Sequence, residues 1–454
     1  MLEALDELFS PGCVTRAADD LAHWGRDWTT AYKAAPSAVV FPKSIHEVVA
    51  LVRWAGSHGV ALVPSGGRTG LSGGAVANHG EVVVSFDRMN AISDFRPADR
   101  LVTCQAGVVT ANLQGFATEQ GLSYPVDFAS SGSSQIGGNI ATNAGGIKVI
   151  RYGLTRDWVA GLTVVSGSGE ILECNQGLIK NATGYDLRHL FVGSEGTLGF
   201  IVEAQMRLAL APPPQRVMVL GVPRFADILE VLSAMQARLV LSAFEFFADQ
   251  ALAKVMAHRD LQSPLSARVA FYALIEFDDD ALEEATAVFE HCVASGWVVD
   301  AVLSQSDTQA GQLWQLREAI SESIAPFTPY KNDISVCIGD MPGFLDAVEM
   351  LVAREYPDFE VCWYGHIGDG NLHLNILKPE SMDTQAFYAR CHEISPKVFQ
   401  AVAEKNGSIS AEHGVGLLKR DFLGFSRSPA EIGVMRGLKG VLDPHGIMNP
   451  GKLL

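Results

Sequence analysis

At 454 residues the chain exceeds the roughly 250–300 residues that one hydrophobic core sustains, and its 48% hydrophobic and 19% charged composition excludes a disordered protein. Thirty-four Lys and Arg against 51 Asp and Glu give a net charge of −17 without any long basic run, which excludes a nucleic-acid partner. An anionic substrate would have to be met by a few local cations working against the field of the whole protein.

Along the chain, the opening residues are acidic (Glu3, Asp6, Glu7), unlike the basic head of a secretory signal, and no stretch of eighteen apolar residues follows. A cytoplasmic protein without a transmembrane segment is the expectation. Seven scattered cysteines with no Cys-x-x-Cys pair fit reduced core residues rather than a disulfide framework.

Residues 38–41 and 61–64 read as strands around a helix over 44–58, in which Ser44 and Glu47 form a capping box. This βαβ unit delivers the loop 64–74, which packs five glycines and several hydroxyls into eleven residues. Glycine lets consecutive backbone N–H groups converge on an anion without Cβ interference, so the loop has the chemistry of a diphosphate cradle. It is neither a Walker loop nor a Gly-x-Gly-x-x-Gly turn, and a tight surface loop is the plainer alternative. Strands are expected over 81–86, 101–105, 162–165 and 200–206. Two further glycine loops, 130–146 and 192–199, suggest one long ligand lying across all three.

The proline run 212–214 predicts a domain boundary. Beyond it, helices over 225–237, 280–294, 309–324 and 384–406 alternate with strands over 268–277, 333–337, 360–364 and 372–376, the pattern of an α+β domain on an antiparallel sheet. Arg317 and Ser321 fall one turn apart on one helix, and Lys331 leads into the next strand. By themselves such cations are ordinary solvated charges.

In residues 363–375, Gly368-Asp369-Gly370-Asn371 between His366 and His373 rules out a helix and favours a hairpin that brings the two histidines opposite each other. His373 and Asn375 then share a face. Later, Glu412 and His413 stand side by side before two glycines. Two histidines and a carboxylate suit Zn²⁺ or a similar divalent ion; the alternative is a pair of core histidines and a solvated carboxylate.

The three glycine loops, in this order and spacing, resemble the FAD-binding domain of the vanillyl-alcohol oxidase family. Residues 363–375, 409–416 and 442–452 resemble its D-lactate and D-2-hydroxyglutarate dehydrogenase branch. The resemblance spans essentially the whole chain and implies an α+β fold in three parts. These are a two-part FAD-binding domain of the vanillyl-alcohol oxidase type over 1–212, an α+β substrate or cap domain with an antiparallel sheet and the metal site over 213–425, and a segment over 426–454 that returns to the FAD domain.

It further implies that FAD is held by Pro64, Ser65, Gly66, Gly67, Arg68, Thr69, Gly70 and Ser72, by Ser134, Gly137, Gly138, Asn139, Thr142, Asn143 and Gly146, and by Gly196, Ile201 and Asn449. Members that bind FAD covalently carry a histidine in or near the first loop. Here no histidine lies between His58 and His79, so a non-covalent flavin is expected. The resemblance also implies Zn²⁺, or a similar divalent metal, on His366, His373 and Glu412, with His413 as the base that takes the hydroxyl proton while hydride leaves for flavin.

Asn375, Arg317, Ser321 and Lys331 would bind the small 2-hydroxy acid, with Ser321 standing where the branch often has threonine. A second cation has something to neutralise only when the substrate has a distal charge, so Lys331 favours a dicarboxylate, D-2-hydroxyglutarate first, with D-lactate, D-malate or glycolate as the alternatives within the branch. Electrons would pass to an acceptor such as an electron-transfer flavoprotein or a quinone. A peroxide-producing oxidase and the ether-lipid synthases of the same fold are the more distant readings, and a homodimer is allowed.

Overall fold

The computed structural model describes residues 4–29 and 31–454, which divide into two compact units. The first comprises the chain up to Gly145, Leu154–Ala211 and Glu412–Leu454. The second comprises Gly146–Gly153 and Pro212–Ala411.

The first unit holds two main sheets. Strands β1 (Val14–Thr15), β2 (Ala38–Val40), β3 (Leu62–Ser65) and β4 (Val82–Ser85) form a four-stranded sheet in the order β1-β2-β4-β3, with β2 and β3 parallel to β4. The parallel pairing follows from the helix Ile45–His58, whose Ser44 hydroxyl caps Glu47 and whose Val48, Leu51, Val52 and Ala55 are buried. Strands β5 (Ile92–Arg96), β6 (Leu101–Gln105), β8 (Val159–Ser166), β9 (Ile171–Cys174) and β10 (Gly199–Arg207) form an antiparallel sheet in the order β5-β6-β10-β8-β9. Short β7 (Leu122–Ser123) pairs with β11 (Ala209–Leu210). Two apolar cores result, one around Val84, Leu51 and Phe200 that draws on strands of both sheets, the other around Ile140, Phe191 and Ile201.

The second unit is built on a seven-stranded sheet of β12 (Gln215–Val222), β13 (Leu241–Ala248), β14 (Phe271–Asp278), β15 (Asp300–Leu303), β16 (Tyr330–Ser335), β17 (Val361–Gly365) and β18 (Asn371–Ile376), in the order β15-β12-β14-β13-β17-β18-β16. Every pairing in it is antiparallel.

The expected elements are present with shifted ends, and three differences have physical causes. The helix expected over 309–324 is interrupted at Ala319 into Asp307–Glu318 and Ile320–Ile324, with Arg317 buried on the first piece and Ser321 exposed on the second. The chain re-enters the first unit at Glu412 rather than at 426, because the Glu195 carboxylate accepts the backbone amides of Val415 (2.7 Å) and Gly416 (2.8 Å). Residues Gly146–Gly153 leave the flavin half for the second unit, where Lys148 pairs with Glu276 and Arg151 with Asp278.

Candidate active site

Within the first unit the three glycine loops meet. A Cβ on Gly67 would collide with the backbone of Ser133 and Ser134, and one on Gly196 with the ring of Pro64. The amides of Gly193 and Glu195 bond to the carbonyls of Ile140 (3.0 Å) and Ala141 (2.8 Å). Asn449, fully buried, fastens the C-terminal tail to the first and third loops by donating to the carbonyls of Gly74 (2.9 Å) and Glu195 (2.7 Å).

The hydroxyl and amide side chains expected at the cofactor are largely engaged inside the unit. Ser65 donates to Trp24, Ser134 bonds Thr110, Asn139 donates to Thr110, Thr142 donates to Gly138, and Asn143 accepts from Arg156. Ile201 packs in the apolar core, and Gly146 lies in the second unit. These side chains therefore shape the loops, and the binding surface they leave is backbone. Among the described residues the amides of Gly67, Arg68 and Thr69 donate to no protein acceptor, and a Cβ on Gly138 would meet nothing within 4 Å. Unpaired donors beside open space fit an anionic, elongated ligand, as FAD requires.

Two buried acids brace this region. Asp27 accepts the amides of Gly73 (2.8 Å) and Thr29 (3.0 Å), and burial pushes its carboxyl up to about 6. Burial likewise raises Glu195, against the lowering effect of the Val415 and Gly416 amides and of Lys419. Leu417 and Leu418 donate to the Ser72 carbonyl. The strand of chain that carries Glu412 and His413 is thus laid against the first and third loops, with His413 Nε2 3.8 Å from Glu412 Oε1.

In the second unit the antiparallel register assembles a polar face. Lys331 lies opposite Asn375 and Asp333 opposite His373, while His373 also faces Tyr364, and Tyr364 faces Phe247. Alternate residues of a strand share a side, so Lys331, Asp333, His373, Asn375, Tyr364 and Glu245 stand on one face. His366 lies past the end of β17; its partner across the hairpin is not His373, whose opposite residue is Tyr364. The two imidazoles still approach edge to face at 5.4 Å between centroids.

Each histidine has a carboxylate at Nδ1. Glu245 Oε1 is 2.8 Å from Nδ1 of His366, and Asp333 Oδ1 is 3.8 Å from Nδ1 of His373. The Glu245 acceptor at Nδ1 fixes the tautomer of His366 that makes Nε2 an electron-pair donor, so that ring is fit to ligate a divalent ion, whereas the Asp333 carboxylate approaches His373 at ion-pair range only. Neither Glu245 nor Asp333 was identifiable as a site residue from sequence.

Arg317 is buried beneath this face, its guanidinium 4.6 Å over the Tyr364 ring and Nη2 2.9 Å from Glu245 Oε2. The approach is that of an ion pair without the alignment of a hydrogen bond, and Arg317 Nε and Nη2 have no hydrogen-bond partner among the described residues. Lys331 donates to the exposed Ser321 hydroxyl (2.8 Å) and has no ion-pair partner among the described residues; desolvation lowers its ammonium pKa below the usual lysine value. Asn375 donates to the Cys362 and His373 carbonyls.

Residues 36–175 match an FAD binding domain, and residues 211–453 match the C-terminal domain of the FAD linked oxidases. The chain is 60% identical to the D-2-hydroxyglutarate dehydrogenase of Stutzerimonas stutzeri, over 100% of this chain and 98% of that one. It is 37% identical to the mitochondrial D-2-hydroxyglutarate dehydrogenase of Bos taurus, over 100% and 83%. Among solved structures, p-cresol methylhydroxylase aligns with TM-score 0.78 at 14% identity over 100% of this chain and 96% of that one. Alkyldihydroxyacetonephosphate synthase aligns with TM-score 0.73 at 19% identity over 99% and 84%. At such identities the structural likeness speaks for the fold, that of the vanillyl-alcohol oxidase type.

Proposed function

This chain belongs to the FAD-linked oxidase family and is an FAD-dependent oxidoreductase, and on that premise we propose that it oxidises D-2-hydroxyglutarate to 2-oxoglutarate with the help of zinc. The observation that carries the substrate is Lys331: a desolvated ammonium, hydrogen-bonded only to Ser321 among the described residues, across the ladder from Asn375 and one alternate position from Asp333. With Arg317 it makes two cations at this face of the sheet in a chain that is otherwise strongly acidic, and two cations suit a dicarboxylate. The names of the curated relatives support the same substrate.

Bound FAD supplies a hydride acceptor, and bound zinc a Lewis acid that polarises the 2-hydroxyl. His366, His373 and Glu412 would hold the metal, a reading supported by the Glu245 carboxylate at Nδ1 of His366. His413 takes the hydroxyl proton at an imidazole nitrogen as the C2 hydrogen departs with its electron pair. Asn375, Arg317 and Lys331 orient the acid, and the electrons leave to a protein carrier or quinone. Seven unpaired cysteines, six of them buried, support a reducing compartment such as the cytoplasm.

Dye-coupled oxidation of D-2-hydroxyglutarate, D-malate and D-lactate, before and after chelation, tests this reading. Turnover should be highest on the dicarboxylates, vanish with chelator and return with Zn²⁺. In Lys331→Met, KM for D-2-hydroxyglutarate should rise about tenfold with little change for D-lactate, the scale of one hydrogen-bonded charge. Equal turnover of D-lactate would sink the substrate, and chelator-insensitive activity would sink zinc.

A further inference from the structure

Strand β13 is buried along its whole length, and Glu245 is its one charged residue, 1% exposed. A carboxylate in that position costs several kcal/mol unless its oxygens are matched. They are matched to two different tasks. Oε1 lies 2.8 Å from Nδ1 of His366, and Oε2 lies 2.9 Å from Nη2 of Arg317. One buried carboxylate therefore stands between a candidate metal-ligating histidine and a candidate substrate-binding arginine.

We propose that Glu245 is a positioning residue that couples metal affinity to hydroxy-acid affinity, an inference that rests on the zinc-assisted reading above. Through Oε1 it keeps the hydrogen of His366 on Nδ1, so that Nε2 is the nitrogen left for the ion. Through Oε2 it holds the guanidinium by charge alone, over the Tyr364 ring, without consuming the Nε and Nη2 donor directions. Those donors stay available for a carboxylate of the substrate, and the strong Coulomb attraction in a dry site keeps the arginine from swinging away. Loss of Glu245 should consequently weaken zinc and acid together, although Glu245 touches neither.

The test compares Glu245→Gln, which keeps shape and removes charge, with the wild-type holoenzyme. Zinc affinity is read by competition with a chromogenic chelator, KM and kcat for D-2-hydroxyglutarate by dye reduction, and folding by flavin content and Tm. The expected result is a loss of zinc affinity of about 10- to 100-fold and a rise in KM of about tenfold, measured at saturating zinc, with flavin content unchanged. An unchanged zinc affinity or an unchanged KM in a flavin-replete variant overturns the proposal. Should the glutamine variant lose its flavin, Glu245→Asp decides: the shorter carboxylate cannot span both partners, so at least one of the two quantities must move, and wild-type values for both overturn it. A wild-type enzyme that binds no zinc overturns the zinc reading itself and this inference with it, whereas zinc-binding wild type beside an indistinguishable variant overturns this inference alone.

Discussion

In the glycine loops of the first unit, polar side chains bind one another and the amides of Gly67, Arg68 and Thr69 have no protein acceptor among the described residues; on the sheet face of the second unit, an imidazole and a guanidinium stand beside one buried carboxylate. The two arrangements suit two ligands. On the proposed function, a long cofactor would be gripped by many weak backbone donors whose placement depends on the absence of Cβ atoms, and a small acid by a few strong charges whose placement depends on a buried carboxylate. Damage to the loops should be felt as lost flavin, and damage to the face as lost metal or lost substrate affinity.

His373→Ala should produce the largest effect. Activity is expected to fall at least about 10³-fold, the several kcal/mol that a Lewis acid supplies, with zinc lost and flavin content unchanged. Parallel metal analysis and flavin absorbance check it, and loss of both groups at once would erase the contrast between the regions.

Next comes Asp27→Asn. The carboxyl sits at about 6 in the folded chain against an ordinary 3.8, so its contribution to stability is complete below about pH 4 and is lost as the pH rises through 6. Relative to the variant, the wild type should lose on the order of 3 kcal/mol over that window, readable as Tm against pH. A pH-independent difference would place the strain elsewhere in the loops, with Glu195 the neighbouring acid to examine.

Gly67→Ala is the finest probe of the comparison. Its Cβ meets the Ser133 and Ser134 backbone, and relieving such an overlap costs about 1–3 kcal/mol, hence FAD weakened by about 10- to 100-fold. Zinc affinity should not change. Equilibrium dialysis of flavin beside chelator competition distinguishes a seam confined to the loops from one that reaches further.

How much of this was legible differs between the regions for a reason that particular residues display. The loops 64–74, 130–146 and 192–199 announce themselves because glycine density is a local property, and the helix Ile45–His58 because its cap and apolar spacing are local too. Strand β13 escaped notice: buried on both sides, Leu241–Ala248 has no alternation of polar and apolar residues to betray it. With it went Glu245, a lone acid in an apolar run.

From the amino-acid sequence by itself came the two-part organisation, the glycine loops and the histidine hairpin, each written in spacing or in residue type, while the cations Arg317 and Lys331 stood out only through the family resemblance. Only tertiary structure decided that Tyr364 rather than His366 faces His373, that Glu195 pins the chain after His413, and that Glu245 stands between His366 and Arg317. These follow from strand register and from the pairing of buried charges, and both join residues far apart in the chain, where local pattern has nothing to say.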